Sequence, residues 1–152
     1  MKAQVIHTTF VIERTYPVTP DRVFAAFADP AKKRRWFYPE RGAQIEEHEM
    51  DFRVRGAERK TFRVDQGFVC RNDTIYQDIV PDQRIVFAYT MSVGDQRISA
   101  SQSTVQLLPE GKKTRLVFTE QAAFFEGADG PQMRQNGWDL LFEQLERHLT
   151  QS

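Results

Sequence analysis

The chain has one cysteine, Cys70, so no disulfide can form within it, and it does not fit a secreted scaffold stapled by several bridges. It has no surplus of either charge, with Lys plus Arg and Asp plus Glu at 21 each. A nucleic-acid binder is expected to carry a basic excess, and its absence excludes that class. No stretch approaches the ~18 consecutive apolar residues of a membrane span. The opening MKAQVIHTTF lacks the apolar centre of a signal peptide. Together these absences predict a cytoplasmic protein with no nucleic-acid partner. No repeat, low-complexity tract or linker-like stretch is present either, so residues 1–152 are expected to form a single domain. His7, His48 and His148 are scattered without metal-ligand spacing, and no phosphate-cradling glycine loop or Gly-x-Ser-x-Gly elbow occurs. No metal or cofactor is expected.

What the chain does have is apolar and aromatic material, at 40% hydrophobic residues with twelve Phe. That suffices for a core and for the lining of a pocket. Residues 8–16 alternate, with Phe10, Ile12 and Tyr16 on one side, which predicts a first strand. Thr19-Pro20-Asp21 then offers a cap, a proline at the first helical position and an acid in the first turn. Asp29-Pro30 repeats that punctuation, so two short helices in tandem are predicted, the second over Pro30–Phe37. Strands are then predicted over Gln44–His48, Asp51–Val54, Lys60–Cys70, Asp73–Val80, Arg84–Met91, Ser99–Leu108 and Thr114–Glu120. They are separated by turn chemistry such as Arg55-Gly56, Arg71-Asn72, Gly94-Asp95 and Pro109-Glu110-Gly111. Short turns with no helix between strands imply an antiparallel meander.

After a loop at Gly127–Pro131, Trp138, Leu141, Phe142, Leu145 and Leu149 recur at helical spacing. Met133, Gly137, Leu140 and Gln144 are expected to widen the buried face of this last helix. A helix of ~20 residues is ~30 Å long and spans a sheet. The resulting fold class is α+β of the helix-grip kind: a curved antiparallel sheet of about seven strands around a long C-terminal helix, with two short helices after the first strand. A sheet that curves around a helix leaves space between them, to be filled by side chains or a ligand.

The segments RTYPVTPDRVFAAFADPAKKRRWF, EEHEMDFRVRGAE, YQDIVPDQRIVFAYTM, RISASQSTVQLLPEGKKTRLVFTEQAAFFEGADG and NGWDLLFEQLERHL occur in that order. As a series they resemble the START-like, or polyketide-cyclase-like, superfamily. Within it they resemble bacterial single-domain relatives of the activator of heat-shock-protein-90 ATPase. Relatives often carry a double glycine where Arg55-Gly56-Ala57 keeps one. The eukaryotic activator has a separate N-terminal domain, for which this chain leaves no room.

The resemblance implies a cavity that binds a small apolar or amphipathic molecule without chemistry, in a monomer or homodimer. Trp36, Phe52, Phe62, Tyr76, Phe87, Tyr89, Met91, Phe118, Met133, Gly137 and Leu141 are the expected lining, against the alternative that aromatics simply fill the core. Ser99, Ser101 and Ser103 share one strand face and could supply hydroxyls, Ser101 above all, or could face solvent. Glu120 ends an apolar strand on the inward parity of Leu116 and Phe118. Desolvation there would raise its pKa and make it the candidate acid or base of a cyclase- or hydrolase-like enzyme, with Tyr76, Tyr89 or His48 as partner. The competing expectation places its carboxylate in water or against an arginine. The run Lys32–Arg35 is expected to be a solvated basic face. A co-chaperone role, with a chaperone as partner, follows only from the family name.

Overall fold

The computed structural model describes residues 3–38, 44–64 and 67–151. The alternation of the first strand holds over Ile6–Tyr16 (β1), where Phe10, Ile12 and Tyr16 are buried. Two helices follow, Pro20–Ala28 (α1) and Pro30–Trp36 (α2). Asp29 separates them, because a residue before proline is pushed to extended backbone, here φ −89° and ψ 118°. Its carboxylate then caps α2 by accepting from the Ala31 N–H at 2.9 Å. Thr19 does not cap α1 in this way; its hydroxyl bonds Asp21 instead.

The remaining strands are Gln44–Met50 (β2), Ala57–Val64 (β3), Phe68–Val80 (β4), Arg84–Val93 (β5), Gln96–Glu110 (β6) and Lys113–Phe124 (β7), and Pro131–Thr150 is the last helix (α3). All neighbours pair antiparallel in the order β1-β7-β6-β5-β4-β3-β2. The expected meander is therefore present, closed on one edge by β1. Register shifts at Ile45/Glu47, Tyr76/Asp78 and Met91/Ser92 are the bulges that curve such a sheet.

Three expectations are corrected. Asp51–Val54 is not a strand but leads into a turn, in which Arg55 takes φ 72° and the Gly56 N–H bonds the Arg53 carbonyl at 2.8 Å. A Cβ on Gly56 would lie 2.1 Å from the Asp51 carbonyl oxygen, so the one glycine retained here is the one that the turn requires. The strand expected over Lys60–Cys70 is divided between β3 and β4; residues 65 and 66 of that expectation lie outside the described residues. Arg71-Asn72, expected as a turn, runs straight through β4. Ladders on both sides override its local turn preference.

Helix α3 lies across the inner face of the sheet. Its buried stripe is Arg134, Trp138, Phe142, Leu145 and Leu149, with Gln144 beside it. Met133, Gly137 and Leu140 were expected on this face but are exposed, Met133 and Leu140 at 66% and 39%, because they sit where the stripe turns away from the sheet. The Gln144 amide donates to the backbone oxygens of Trp36 (2.8 Å) and Tyr38 (2.6 Å), which fastens the end of α2 to α3. The Tyr16 hydroxyl donates to the Phe142 carbonyl at 3.0 Å, so β1 holds the other side. Trp138 packs against Phe118, Phe142 and Phe37 with ring centroids 4.6, 5.6 and 5.9 Å apart.

Candidate functional site

Between α3 and the inner face of β3–β5 lies a cavity of about 240 Å³. Its sheet side is Lys60 and Phe62 from β3, Asn72 from β4, and Tyr89 and Met91 from β5. Its helix side includes Met133, Arg134, Gly137, Trp138 and Leu141, and Phe37 and Asp129 complete the wall. The register explains the sheet side, because Lys60 pairs with Asn72 and Asn72 with Met91, which makes one row across three strands. A Cβ added at Gly137 would meet no heavy atom within 4 Å, so the helix is bare where it faces this space.

Six of the residues expected from the sequence line the cavity: Phe62, Tyr89, Met91, Met133, Gly137 and Leu141. Seven do not. Trp36 is fully buried against Phe27 and donates its indole N–H to the Ala26 carbonyl at 3.0 Å. Phe52 and Tyr76 stack edge-on at 4.9 Å in the core, and Phe87 and Phe118 pack against Trp138. Ser101 faces inward, as Ser99 and Ser103 do, but its buried hydroxyl has no hydrogen-bond partner. For Phe87 and Phe118 the inward parity was read correctly, and for Ser101, whose face had been left open, the structure decides for the inner one. Helix α3 decides which inward positions it covers and which it leaves beside open space.

Glu120 is the seventh, and it lies behind the cavity wall rather than in it. Its side chain is 0% exposed, so the expectation of a carboxylate in water is overturned, and that of an arginine partner holds at 4.0 Å from Arg134. The Tyr89 hydroxyl donates to its two oxygens at 3.0 and 3.1 Å, and the Ser103 hydroxyl donates at 2.9 Å. Burial pushes the Glu120 pKa up to about 6, partly offset by Arg134, Ser103, Tyr89 and Trp138. Burial and the Glu120 charge likewise raise Tyr89, which keeps its proton and remains a donor. Arg134 is committed as well: it donates to Asp129 (2.9 and 2.8 Å), to the Tyr89 hydroxyl (3.0 Å) and to Ser99 (2.9 Å). Sequence reading missed Arg134, although the stripe Trp138–Phe142 extends backwards by one turn to it.

A second buried cluster was also missed. Lys33, expected on a solvated face, is buried one turn before Trp36 on α2. Its ammonium donates to Glu58 at 2.7 Å and to the Tyr76 hydroxyl at 3.3 Å, and Tyr76 itself donates to Glu58. His48 approaches the other Glu58 oxygen at 2.8 Å. Because His48 Nδ1 accepts from Arg34 at 3.0 Å, Nε2 carries the hydrogen given to Glu58. Burial pushes Glu58 up, but Lys33, His48 and Tyr76 more than offset it and hold it at about 2. His48 therefore serves Glu58 and not Glu120. The available signal was parity: Glu58, Lys60 and Phe62 alternate on one face of β3, so two charges share the side of a buried phenylalanine.

The profile of the family described as Activator of Hsp90 ATPase homolog 1-like protein matches residues 17–150. A crystal structure of a Rhizobium loti protein is 52% identical, with a TM-score of 0.88 over 95% of this chain and 99% of that one. A Rhizobium leguminosarum protein is 38% identical with a TM-score of 0.93, covering 98% of each chain. A Chromobacterium violaceum protein is 27% identical with a TM-score of 0.77, over 95% of this chain and 98% of that one. No curated protein matches the chain.

Proposed function

Because the chain belongs to the Activator of Hsp90 ATPase homolog 1-like family, we infer that it is a ligand-binding domain whose ligand, a small apolar or amphipathic molecule, sits under α3. The observation that carries this reading is the cavity itself: aromatic and aliphatic walls from Phe37, Phe62, Met91, Trp138 and Leu141, with a helix residue lacking a side chain, Gly137, opening onto it. Its volume of about 240 Å³ lies just below the ~300–1,000 Å³ of pockets for drug-sized ligands, which suits a single ring or a medium-length chain. Met133 and Leu140, which also line it, give a partly exposed apolar approach.

Binding without turnover is the reading that the polar groups favour. An acid or base must reach the reacting atom, whereas Glu120 spends its oxygens on Tyr89 and Ser103 behind the wall. Thermal melting with a panel of fatty acids, flavonoids and polyketide-like compounds tests the proposal. Stabilisation by at least one class, growing with its concentration, is expected. A melting temperature unmoved by every member of the panel would sink it.

A further inference from the structure

Among the described residues, the buried charges come with opposite charges, with one exception. Lys33 has Glu58 at 2.7 Å, Arg134 has Asp129 at 2.8 Å, and Glu120 has Arg134 at 4.0 Å. Lys60 is 3% exposed and forms no ion pair among these residues. Among the described residues its one hydrogen bond is to the Phe37 carbonyl at 2.8 Å. The rings of Phe37, Tyr38 and Phe62 stand 3.6, 5.0 and 5.1 Å from its nitrogen. An ammonium has three donors, so two remain uncommitted among the described residues, and Lys60 is part of the cavity wall. Directly across the β3–β4 ladder, Asn72 lines the same cavity and holds a buried side-chain oxygen without a partner. An unused donor and an unsatisfied amide therefore stand side by side in walls that are otherwise largely apolar.

A buried ammonium without a counter-charge resolves its cost in one of two ways: it loses its proton or it gains an anion. Resting on the reading of the cavity as a ligand site, we propose that Lys60 is the head-group receptor of this cavity and that the ligand is an apolar carboxylate. Its carboxylate pairs with the Lys60 ammonium, and its apolar part lies against Phe37, Phe62, Met91 and Leu141. The Asn72 amide can turn to present its N–H groups to the same head group.

The charges around Lys60 set the pH dependence. Burial pushes the Lys60 pKa down to about 7; Glu58 on the same strand opposes this, Lys33 from α2 adds to it, and the Cys70 thiol on β4 opposes it. His48, across the β2–β3 ladder from Lys60, is engaged with Glu58 and Arg34. Asp129 and Arg134, which face the cavity from the loop and α3, neutralise one another. Lys60 is thus half charged near neutrality. It is ready to take up a proton when a carboxylate arrives and unable to hold one when the pH is raised.

Calorimetric titration of the full chain with octanoate, 1-octanol and octylamine, at about pH 6 and about pH 9, separates the possibilities. Octanoate is expected to bind roughly tenfold tighter than 1-octanol at the lower pH, as a charge-assisted bond to a desolvated group implies, and to lose that advantage at the higher pH. Near pH 7.5, buffers of different ionisation enthalpy should report proton uptake on octanoate binding. Lys60→Met should lose the preference for octanoate over 1-octanol at the lower pH. If that variant fails to fold, the wild-type pH pair and proton count decide alone. Equal affinity of octanoate and 1-octanol, a preference for octylamine, or an octanoate preference that survives in Lys60→Met would overturn the assignment while leaving the cavity reading intact. Binding of none of the three would overturn the assignment, and the cavity reading with it if the wider panel also leaves the melting temperature unmoved.

Discussion

Glu58 on β3 and Glu120 on β7 occupy the same kind of place, on the inner face of one sheet at 3% and 0% exposure, yet their protonation is displaced in opposite directions. Glu58 is held near 2 and Glu120 is raised to about 6, against an ordinary value of 4.5. Burial acts on both in the same sense. The difference lies in the partners: Glu58 touches an ammonium at 2.7 Å and a histidine N–H at 2.8 Å, whereas Glu120 touches neutral hydroxyls and has its nearest cation at 4.0 Å. A charge in direct contact outweighs desolvation; one held off by a shared hydroxyl does not. The first cluster fastens α2 to the sheet. The second sits behind a cavity wall, with Arg134 and Tyr89 as its face.

The contrast is broken most severely by Lys33→Met. It leaves the Glu58 charge buried with its strongest partner gone, and a loss of ~3–5 kcal/mol in denaturant unfolding is expected. A loss below about 1 kcal/mol would mean that Lys33 and Glu58 are solvated and that the two clusters are not of one kind.

The pH profile comes next. The folded-state pKa of Glu58 is depressed, so its stabilisation is complete above the ordinary glutamate range and is lost as pH falls from about 4.5 towards 2, by about 3 kcal/mol. That of Glu120 is raised, so its contribution is complete below about 4.5 and is lost as pH rises through 6, by about 2 kcal/mol. Below the titration of Lys60, stability should therefore rise on acidification from pH ~6.5 to ~4.5 and fall below that. Subtracting the profile of Glu120→Gln isolates the first limb and that of Glu58→Gln the second. A Glu120→Gln variant whose profile parallels the wild type throughout would remove the distinction between the two carboxylates.

Gly137→Leu sharpens the comparison with the smallest effect on stability. Its Cβ meets nothing, and replacing glycine within a helix recovers up to ~1 kcal/mol, so the melting temperature should hold or rise slightly. The same side chain enters the cavity in front of Arg134 and Tyr89, so the affinity of any ligand found by screening should fall. A destabilisation of ~1–3 kcal/mol would indicate overpacking against the sheet in place of free space.

Much of this was legible in the residues. Period-two runs such as Ile85–Phe87–Tyr89 gave the inward faces, proline and Asp-Pro placed α1 and α2, and the spacing Trp138–Phe142–Leu145–Leu149 gave the helix and its stripe. The site was half legible. Tyr89, Met91 and Phe62 were found because they are apolar or aromatic and inward. Lys33, Lys60 and Arg134 were passed over because hydrophobicity patterns count a charge as a surface residue.

The sequence by itself determined which residues face inward, because strand and helix periods are local consequences of backbone geometry and need only the chain's own order. Tertiary structure alone decided what those residues meet. Met133 and Leu140 fell outside the buried stripe, Asn72 entered a continuous strand despite its turn chemistry, and Glu120 found hydroxyls where Glu58 found an ammonium. Those outcomes depend on how α2 and α3 seat on the curved sheet, which brings together side chains 25 to 45 positions apart, Lys33 with Glu58 and Tyr89 with Arg134. Partner and distance, which set the charge of a buried group, are properties of that seating and are not written in any local stretch of the chain.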